Sequence, residues 1–415
     1  MSVLVSVLLA LPGLPEEQAV VGALDRGSGG TRVVRRCVDL ADLLAAASAR
    51  TADLVVVSAD LRRFDREAVA RLQACGLVVV AVVGPSDEDA IHRVRRLGVD
   101  DVVSADLPVD RWADVVRTAA ARGLAAVPDP AEEVALTTPV DAPAPDAAPP
   151  GRVLAVWGPV GAPGRTTMAV NLAAVAARSG LDTLLVDADT YGASVAAFLG
   201  LLDEASGLLA AVRAANTGQL DPPALARAAR QAAPRLRVLS GLPRPQRWPE
   251  LRPSALEVVL EVARRLVPLT VVDAGFCLEQ DEEIVYDTAA PRRNGATLAA
   301  LQAADVVVAL GSADPVGLQR LLRGLPEART HVGGDLHVVV NRTRRGHRRG
   351  FGQQPVVDLI ARHTGLVPAL CLPEDREACD LAMASGRSLV EAAPRSALVA
   401  ALEHLAAQVV PARAA

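Results

Sequence analysis

Lysine is absent from this 415-residue chain: all 43 of its basic residues are arginine. Aromatic side chains are nearly as scarce, 2% of residues against 51% hydrophobic residues overall. A core therefore has to be assembled from Ala, Val and Leu rather than from rings. The five cysteines, Cys37, Cys75, Cys277, Cys371 and Cys379, are scattered without a CxxC pair or a Cys/His cluster. That spacing excludes the common zinc motifs, and the odd number fits a reducing compartment. His331, His337 and His347 likewise lack metal-ligand spacing. No run of about 18 uninterrupted apolar residues occurs, so no membrane-spanning helix is expected. The apolar start, MSVLVSVLLALPG, has no basic flank and is too short to span a bilayer, so Val3 to Leu9 reads as a buried strand. A net charge of −5 and an isoelectric point near 5.8 exclude general coating of nucleic acid, which needs a net basic face. The expectation is a cytoplasmic protein long enough for two domains.

What is present is alternation. Up to residue 123, short β-branched runs (VLVSVLL at 3, TRVVRRCV at 31, LVVVSADL at 54, LVVVAVVG at 77, DDVVS at 100) are separated by helical stretches near Glu16, Leu40, Arg66 and Glu88, with a last one after Pro108. Five apolar strands between amphipathic helices predict a parallel, doubly wound α/β sheet. Residues 124–150 then turn to Pro, Ala and acidic side chains, ending VDAPAPDAAPPG. Such a stretch buries too little apolar surface to fold and is expected to tether two domains at high effective concentration. Residues 151–415 resume with strand, glycine-rich turn and helix, a second doubly wound three-layer domain.

The runs LVVVSADL and GVDDVVSADLP resemble the third to fifth strands of a response-regulator receiver, a flavodoxin-like fold. Receivers hold Mg²⁺ with an acidic pair after the first strand and carry a phosphorylated Asp after the third and a Lys after the fifth. Here the first strand runs into Ala10-Leu11-Pro12, Ser58 stands at the acceptor position, and Ala105 falls at or near the lysine position. Asp60 comes two residues late. The resemblance therefore implies a degenerate receiver-like domain over 1–123, used for docking or dimerisation.

In the second domain, VLAVWGPVGAPGRTTMAVNLAAVAARSG places a strand at Val153 to Trp157, a loop from Gly158 to Arg165 and a helix from about Thr166. A loop of this kind wraps backbone N–H groups around phosphates, and the helix N-terminus adds its positive dipole end. GAPGRTT resembles the deviant Walker A motif KGGxGKTT of the MinD/ParA family of P-loop ATPases. The resemblance implies ATP and Mg²⁺ as cofactors, bound by Gly161, Ala162, Pro163, Gly164, Arg165, Thr166 and Thr167. Val160 takes the position of the signature lysine, Ala162 that of the second glycine, Arg165 that of the Walker lysine and Thr166 that of the Mg²⁺-binding hydroxyl. A guanidinium is larger and planar where the lysine is a compact charge. Val160 can donate nothing across a dimer. Compositional drift toward arginine accounts for Lys to Arg but not for Lys to Val. A turn without ligand is the plainer alternative for the loop taken alone.

Three further segments fit the same family in order. LDTLLVDADTYGAS places Asp187 near the Mg²⁺ water shell and Asp189 as the carboxylate that positions attacking water. LTVVDAGF resembles Walker B, ending in Asp273, a Mg²⁺ residue. HVVVNR matches Asn341 to an adenine-contacting Asn, and Pro373, Glu374 and Asp375 sit where the base and ribose bind. A strand-terminal Asp alone is weak, since turns favour Asp; three behind one phosphate loop are stronger. Arg165 and Asp189 are thus the candidate catalytic residues, Thr166, Asp187 and Asp273 the candidate metal residues.

GPVGAPGRTT, the insert DEEIVYDTAAPRRNGATLAAL and the ending LPEDR…GRSLVEAAPRS resemble the CpaE/TadZ branch, in which a receiver-like domain precedes the ATPase-like one. That implies a nucleotide-dependent homodimer, a localisation role for a Flp/Tad pilus or related secretion apparatus, and at most slow ATP hydrolysis. Two alternatives stay open: an active ParA/MinD-type ATPase for partitioning or septum placement, and a nucleotide-free regulatory module. RTRRGHRRG, from Arg342 to Gly350, is the one dense basic run; DNA contact through it would be salt-dependent, and a solvated loop is the favoured reading. Arg292, Arg293 and Asn294 could face a partner or the nucleotide. The tail SALVAALEHLAAQVVPARAA has too few basic residues for a membrane-docking helix and reads as a packing helix, so direct membrane insertion is not expected.

Overall fold

The structure is a computed structural model that describes residues 4–14, 17–26, 30–85, 87–125, 149–201, 205–280, 291–344 and 353–410. Most of the Pro/Ala-rich stretch, the first part of the insert after Asp273 and most of the basic run lie outside the described residues. The chain divides into two compact units, residues 1–148 with 214–219, and residues 149–213 with 220–415.

The first unit alternates β1 (Val5–Ala10), α1 (Glu17–Arg26), β2 (Thr31–Arg36), α2 (Leu40–Ser48), β3 (Leu54–Ser58), α3 (Arg66–Ala74), β4 (Val78–Val83), α4 (Glu88–Leu97), β5 (Asp101–Ser104) and α5 (Trp112–Ala125). Its sheet is parallel throughout, in the order β2-β1-β3-β4-β5, the doubly wound order of flavodoxin-like folds. Aspartates start the middle helices: Asp39, Asp65 and Asp87 accept from the N–H groups of Asp42, Ala68 and Ala90, satisfying donors that have no intrahelical partner. β3 and β4 are buried almost residue for residue, as expected for strands covered on both faces. At the sheet's C-terminal end, Ser58 closes β3 and Ala105 follows β5 half-buried. The Asp60 carboxylate is 85% exposed and pairs with Arg93 at 3.2 Å, outside the acceptor position.

The second unit contains β6 (Arg152–Trp157), α6 (Arg165–Arg178), β7 (Thr183–Ala188), α7 (Val195–Phe198), α8 (Gly207–Asn216), α9 (Pro222–Ala228), β8 (Arg230–Ala233), β9 (Leu236–Leu239), α10 (Pro253–Leu266), β10 (Leu269–Ala274), α11 (Gly295–Ala303), β11 (Val306–Ser312), α12 (Pro315–His331), β12 (Asp335–Thr343), α13 (Gln353–Thr364), β13 (Leu370–Pro373), α14 (Arg376–Ser385), α15 (Leu389–Ala392) and α16 (Ala397–Val409). The strand order is β13-β12-β11-β6-β10-β7-β9-β8, parallel except for the edge strand β8. β6 is central. The chain first builds toward β7 on one side and later crosses to β11 on the other, and ligands of open α/β sheets sit at such reversals.

Scarcity of aromatics shapes this core. Ten consecutive residues of α6, Met168 to Ala177, are buried, because the helix is held between the sheet and the packed C-terminal helices α15 and α16. Small alanine side chains allow that close approach from every side. Asn171 is the polar residue in this stretch, and both ends of its amide are engaged: Nδ2 donates to Thr167 O at 2.7 Å, and Oδ1 accepts from Leu389 N at 2.7 Å. The tail forms α16 and buries Leu398, Val399, Leu402, Leu405, Ala406 and Val409. Among the described residues no helix is long and apolar enough to cross a membrane.

Candidate functional site

The site grows from the ends of three neighbouring strands. β6 delivers the loop Gly158 to Gly164, and β7 and β10 deliver Asp187 and Asp273. In the parallel pairing of β10 with its neighbours, Asp273 lies opposite both Asp187 and Val156, so the two carboxylates stand side by side at the foot of the loop.

The loop itself is an open nest. Gly161, Ala162 and Gly164 all have positive φ, at 110°, 52° and 104°. Gly164 is required twice over: its backbone is left-handed, and a Cβ there would meet Asn341 Nδ2 at 2.7 Å. Ala162 pays for the same kind of conformation with strain of about 1 kcal/mol. Among the described residues, no backbone N–H from Val160 to Thr167 donates a hydrogen bond, and Pro163 has none to give. A helix start alone leaves about four such donors; here the loop adds its own, which is the arrangement that receives phosphate oxygens.

Arg165 does not project into that nest. Its guanidinium donates to Ala274 O at 3.2 Å, to Gly158 O at 3.3 Å and to Pro159 O at 3.4 Å, and pairs with Asp189 Oδ2 at 3.2 Å. Both side chains of this ion pair are buried, at 12% and 8% exposure, and the guanidinium also lies 5.7 Å from the Phe276 ring centre. The second Asp189 oxygen accepts from Tyr191 N at 2.8 Å and Gly192 N at 3.2 Å. Asp189 is therefore held on both sides.

Thr166 Oγ1 donates to Asp273 Oδ2 at 2.6 Å and lies 3.1 Å from Ser194 Oγ. Asp187 accepts from Val195 N at 2.9 Å and from Asp189 N at 3.4 Å. Burial, opposed by these N–H groups, pushes the Asp187 carboxyl up to about 7. Burial and then the facing Asp187 push Asp273 well above the usual carboxylate range. Asp273 Oδ1 is buried without any hydrogen-bond partner. An orphaned carboxylate oxygen, an adjacent hydroxyl and a second acid form an all-oxygen donor set that suits Mg²⁺. Among the described residues, no group of three acids, histidines or cysteines could hold a metal by itself. Thr166, Asp187 and Asp273 thus fit a Mg²⁺ that shares its shell with phosphate oxygens and water.

Beside the loop's Gly164 end lies a cavity of about 390 Å³ lined by Gly164, Thr167, Met168, Asn341, Pro373 and Glu374 among others, where the sequence reading placed the base and ribose. Asn341 borders it, but its amide is already engaged: Nδ2 donates to Pro163 O at 2.8 Å and Oδ1 accepts from Arg342 N at 2.8 Å. Asn341 in this state fastens the phosphate loop to β12.

Other residues fall differently from the sequence reading. Asn294 is buried, accepting from Tyr191 OH at 2.9 Å and donating to Glu279 O at 2.8 Å. Arg293 lies 3.8 Å over the Tyr191 ring. Sequence reasoning passed over Ser194 and Tyr191, which follow Asp189 in an unremarkable turn. It also passed over Arg320 on α12, which donates to Val160 O at 3.3 Å. Of the basic run, Arg342 donates to Ala162 O at 3.1 Å and Arg344 pairs with Glu374 at 2.5 Å; Arg345, Arg348 and Arg349 lie outside the described residues.

Solved structures resemble this arrangement. A ParA family ATPase from Chlorobium tepidum superposes with a TM-score of 0.53 at 18% identity, covering 62% of this chain and 99% of its own. Apo McdA from Cyanothece gives 0.50 at 16% identity, over 63% and 99%. A cell division ATPase MinD from Pyrococcus furiosus gives 0.49 at 18%, over 62% and 98%. The chain carries the MinD/ParA P-loop fold. At these identities the likeness is one of fold. No family model matches the chain, and no curated protein matches its sequence.

Proposed function

We propose that the chain is a nucleotide-responsive scaffold: its P-loop unit binds ATP with Mg²⁺, pairs with a second copy, and hydrolyses slowly or not at all. The observation that carries this reading is the coexistence of an open N–H nest with an Arg165–Asp189 ion pair beside it. The nest, Thr166 and the two raised acids supply what phosphate and Mg²⁺ require. Bound Mg²⁺ would neutralise phosphate charge and relieve the repulsion between Asp187 and Asp273. Asp189 is turned toward Arg165, Tyr191 N and Gly192 N, which occupy three of its roughly four acceptor sites and hold it away from the free orientation that positioning a water requires. Val160 offers no donor across a dimer interface. Binding is retained and turnover is weakened.

In this reading residues 1–123 form a degenerate receiver-like domain for docking, 124–150 a linker, and 151–415 the nucleotide unit. The Ser58 and Ala105 positions and the exposed Asp60–Arg93 pair support docking over phosphotransfer. A receiver-like domain ahead of such a unit supports a cytoplasmic localisation factor that pilus or secretion machinery recruits to the inner membrane face or a pole.

The test is nucleotide binding and oligomer state measured on one sample of the full chain, with phosphate release followed in parallel. Tighter self-association with Mg·ATP than with Mg·ADP, and turnover near background, is the expected result. Steady turnover abolished by Asp189→Ala would instead establish a cycling ATPase. Absence of any Mg·ATP binding, with self-association unaffected by Thr166→Ala, would leave a nucleotide-free module.

A further inference from the structure

Three arginines contact the phosphate loop, and they are not equivalent. Arg165 is buried and committed to Asp189 and three carbonyls. Arg342 is exposed, donates to Ala162 O, and adds its charge to the lowering of the Glu374 carboxyl that the Arg344 hydrogen bond chiefly causes. Arg320 is exposed and makes a single hydrogen bond, from Nη1 to Val160 O at 3.3 Å; among the described residues it has no carboxylate partner. The remaining N–H groups of this planar fork are available in a geometry that suits phosphate oxygens.

Its position along the loop is specific. A Cβ added to Gly161 would lie 2.1 Å from Arg320 Nη1, so the guanidinium rests directly on the glycine. Gly161 and Val160 begin the nest, whereas the cavity adjoins its other end, at Gly164, Thr167, Asn341 and Pro373. The carbonyl just before Val160, Pro159 O, is a partner of Arg165 and through it adjoins Asp189. A polyphosphate running from that cavity across the nest therefore ends beside Arg320.

Resting on the nucleotide-binding reading, we infer that Arg320 is the cation that reads the terminal phosphate. It takes from α12 the charge that the loop lacks at Val160 and that Arg165 has diverted inward. Such a residue distinguishes a triphosphate from a diphosphate, because the diphosphate's last group stops short of it.

The experiment titrates the full chain with Mg·ATP and Mg·ADP by calorimetry, for the wild type and for Arg320→Gln, Arg320→Lys and Arg323→Gln. Losing a charge-assisted bond to phosphate weakens binding by about tenfold or more. Arg320→Gln should lose that factor for ATP and leave ADP within about twofold, Arg320→Lys should recover part of it, and Arg323→Gln, exposed on the same helix, should change neither. ATP affinity unaffected by Arg320→Gln, or an equal loss for ATP and ADP, overturns the inference while nucleotide binding stands. A wild type that binds neither nucleotide overturns both. Melting temperatures of the variants verify folding, and Arg320→Lys carries the test if Arg320→Gln is unstable.

Discussion

Arg165 Nη2 lies 3.2 Å from Asp189 Oδ2, an ion pair almost closed to solvent. Removing one member of such a pair strands the other charge, which costs about 3–5 kcal/mol, while removing both costs much less than the sum. Arg165→Ala should therefore lower the unfolding free energy by about 3 kcal/mol in urea titration, and adding Asp189→Ala should recover part of that loss. Strict additivity of the two changes would show the pair to be energetically idle.

How far the sequence reveals this arrangement depends on the range of the interaction. Strands such as Leu54–Ser58 and Val78–Val83, and helices opened by Asp39, Asp65 and Asp87, follow from patterns within ten residues, so their positions are legible. The loop, too, declares itself through its glycines. The strands β8 and β9 are only four residues each, and the edge strand β8, RQAA, has no buried residue, so no apolar run marks it. The direction of Arg165 depends on carbonyls and a carboxylate delivered by other strands. Arg320 meets Val160 across 160 residues of sequence, and in a chain whose cations are all arginine nothing local distinguishes it.

Two carboxylates in register at strand ends store repulsion. Burial, and then the facing Asp187, disfavour ionisation of Asp273; Asp273→Asn removes that penalty and lets the unpartnered oxygen position become a donor or a neutral acceptor. The nucleotide-free protein should gain about 1 kcal/mol of stability, the pattern of sites strained for function. The same variant should lose the extra thermal stabilisation that Mg²⁺ adds to ATP. An Asp273→Asn protein less stable than the parent, yet still Mg²⁺-responsive, would remove Asp273 from the metal site.

The pH dependence follows in sign. Burial raises the Asp187 carboxyl from its ordinary value to about 7, so the folded state holds a proton that the unfolded chain has released. Stability of the nucleotide-free protein should fall as pH rises from about 4 to 7, by at most about 1.4 kcal/mol per pH unit for one group. Melting temperatures across pH 5 to 8 measure this, and Asp187→Asn should flatten the slope relative to the parent. A parent and variant with the same slope would show that Asp187 is not the group responsible.

Gly164 and Ala162 make opposite predictions from the same backbone region. Both have left-handed φ, at 104° and 52°, but a Cβ on Gly164 would collide with the Asn341 amide, while Ala162 is exposed. Ala162→Gly relieves local strain at some cost in unfolded-chain entropy, so it should raise stability by up to about 1 kcal/mol and leave the nest's donors in place. Gly164→Ala must displace Asn341, detach the loop from β12 and strain its own backbone, a loss of about 1–3 kcal/mol. It should also abolish Mg·ATP binding, because the N–H groups from Gly164 to Thr167 lose their common direction. Calorimetry on the two variants separates the effects, and a Gly164→Ala protein that binds ATP like the parent would show that the loop does not receive phosphate.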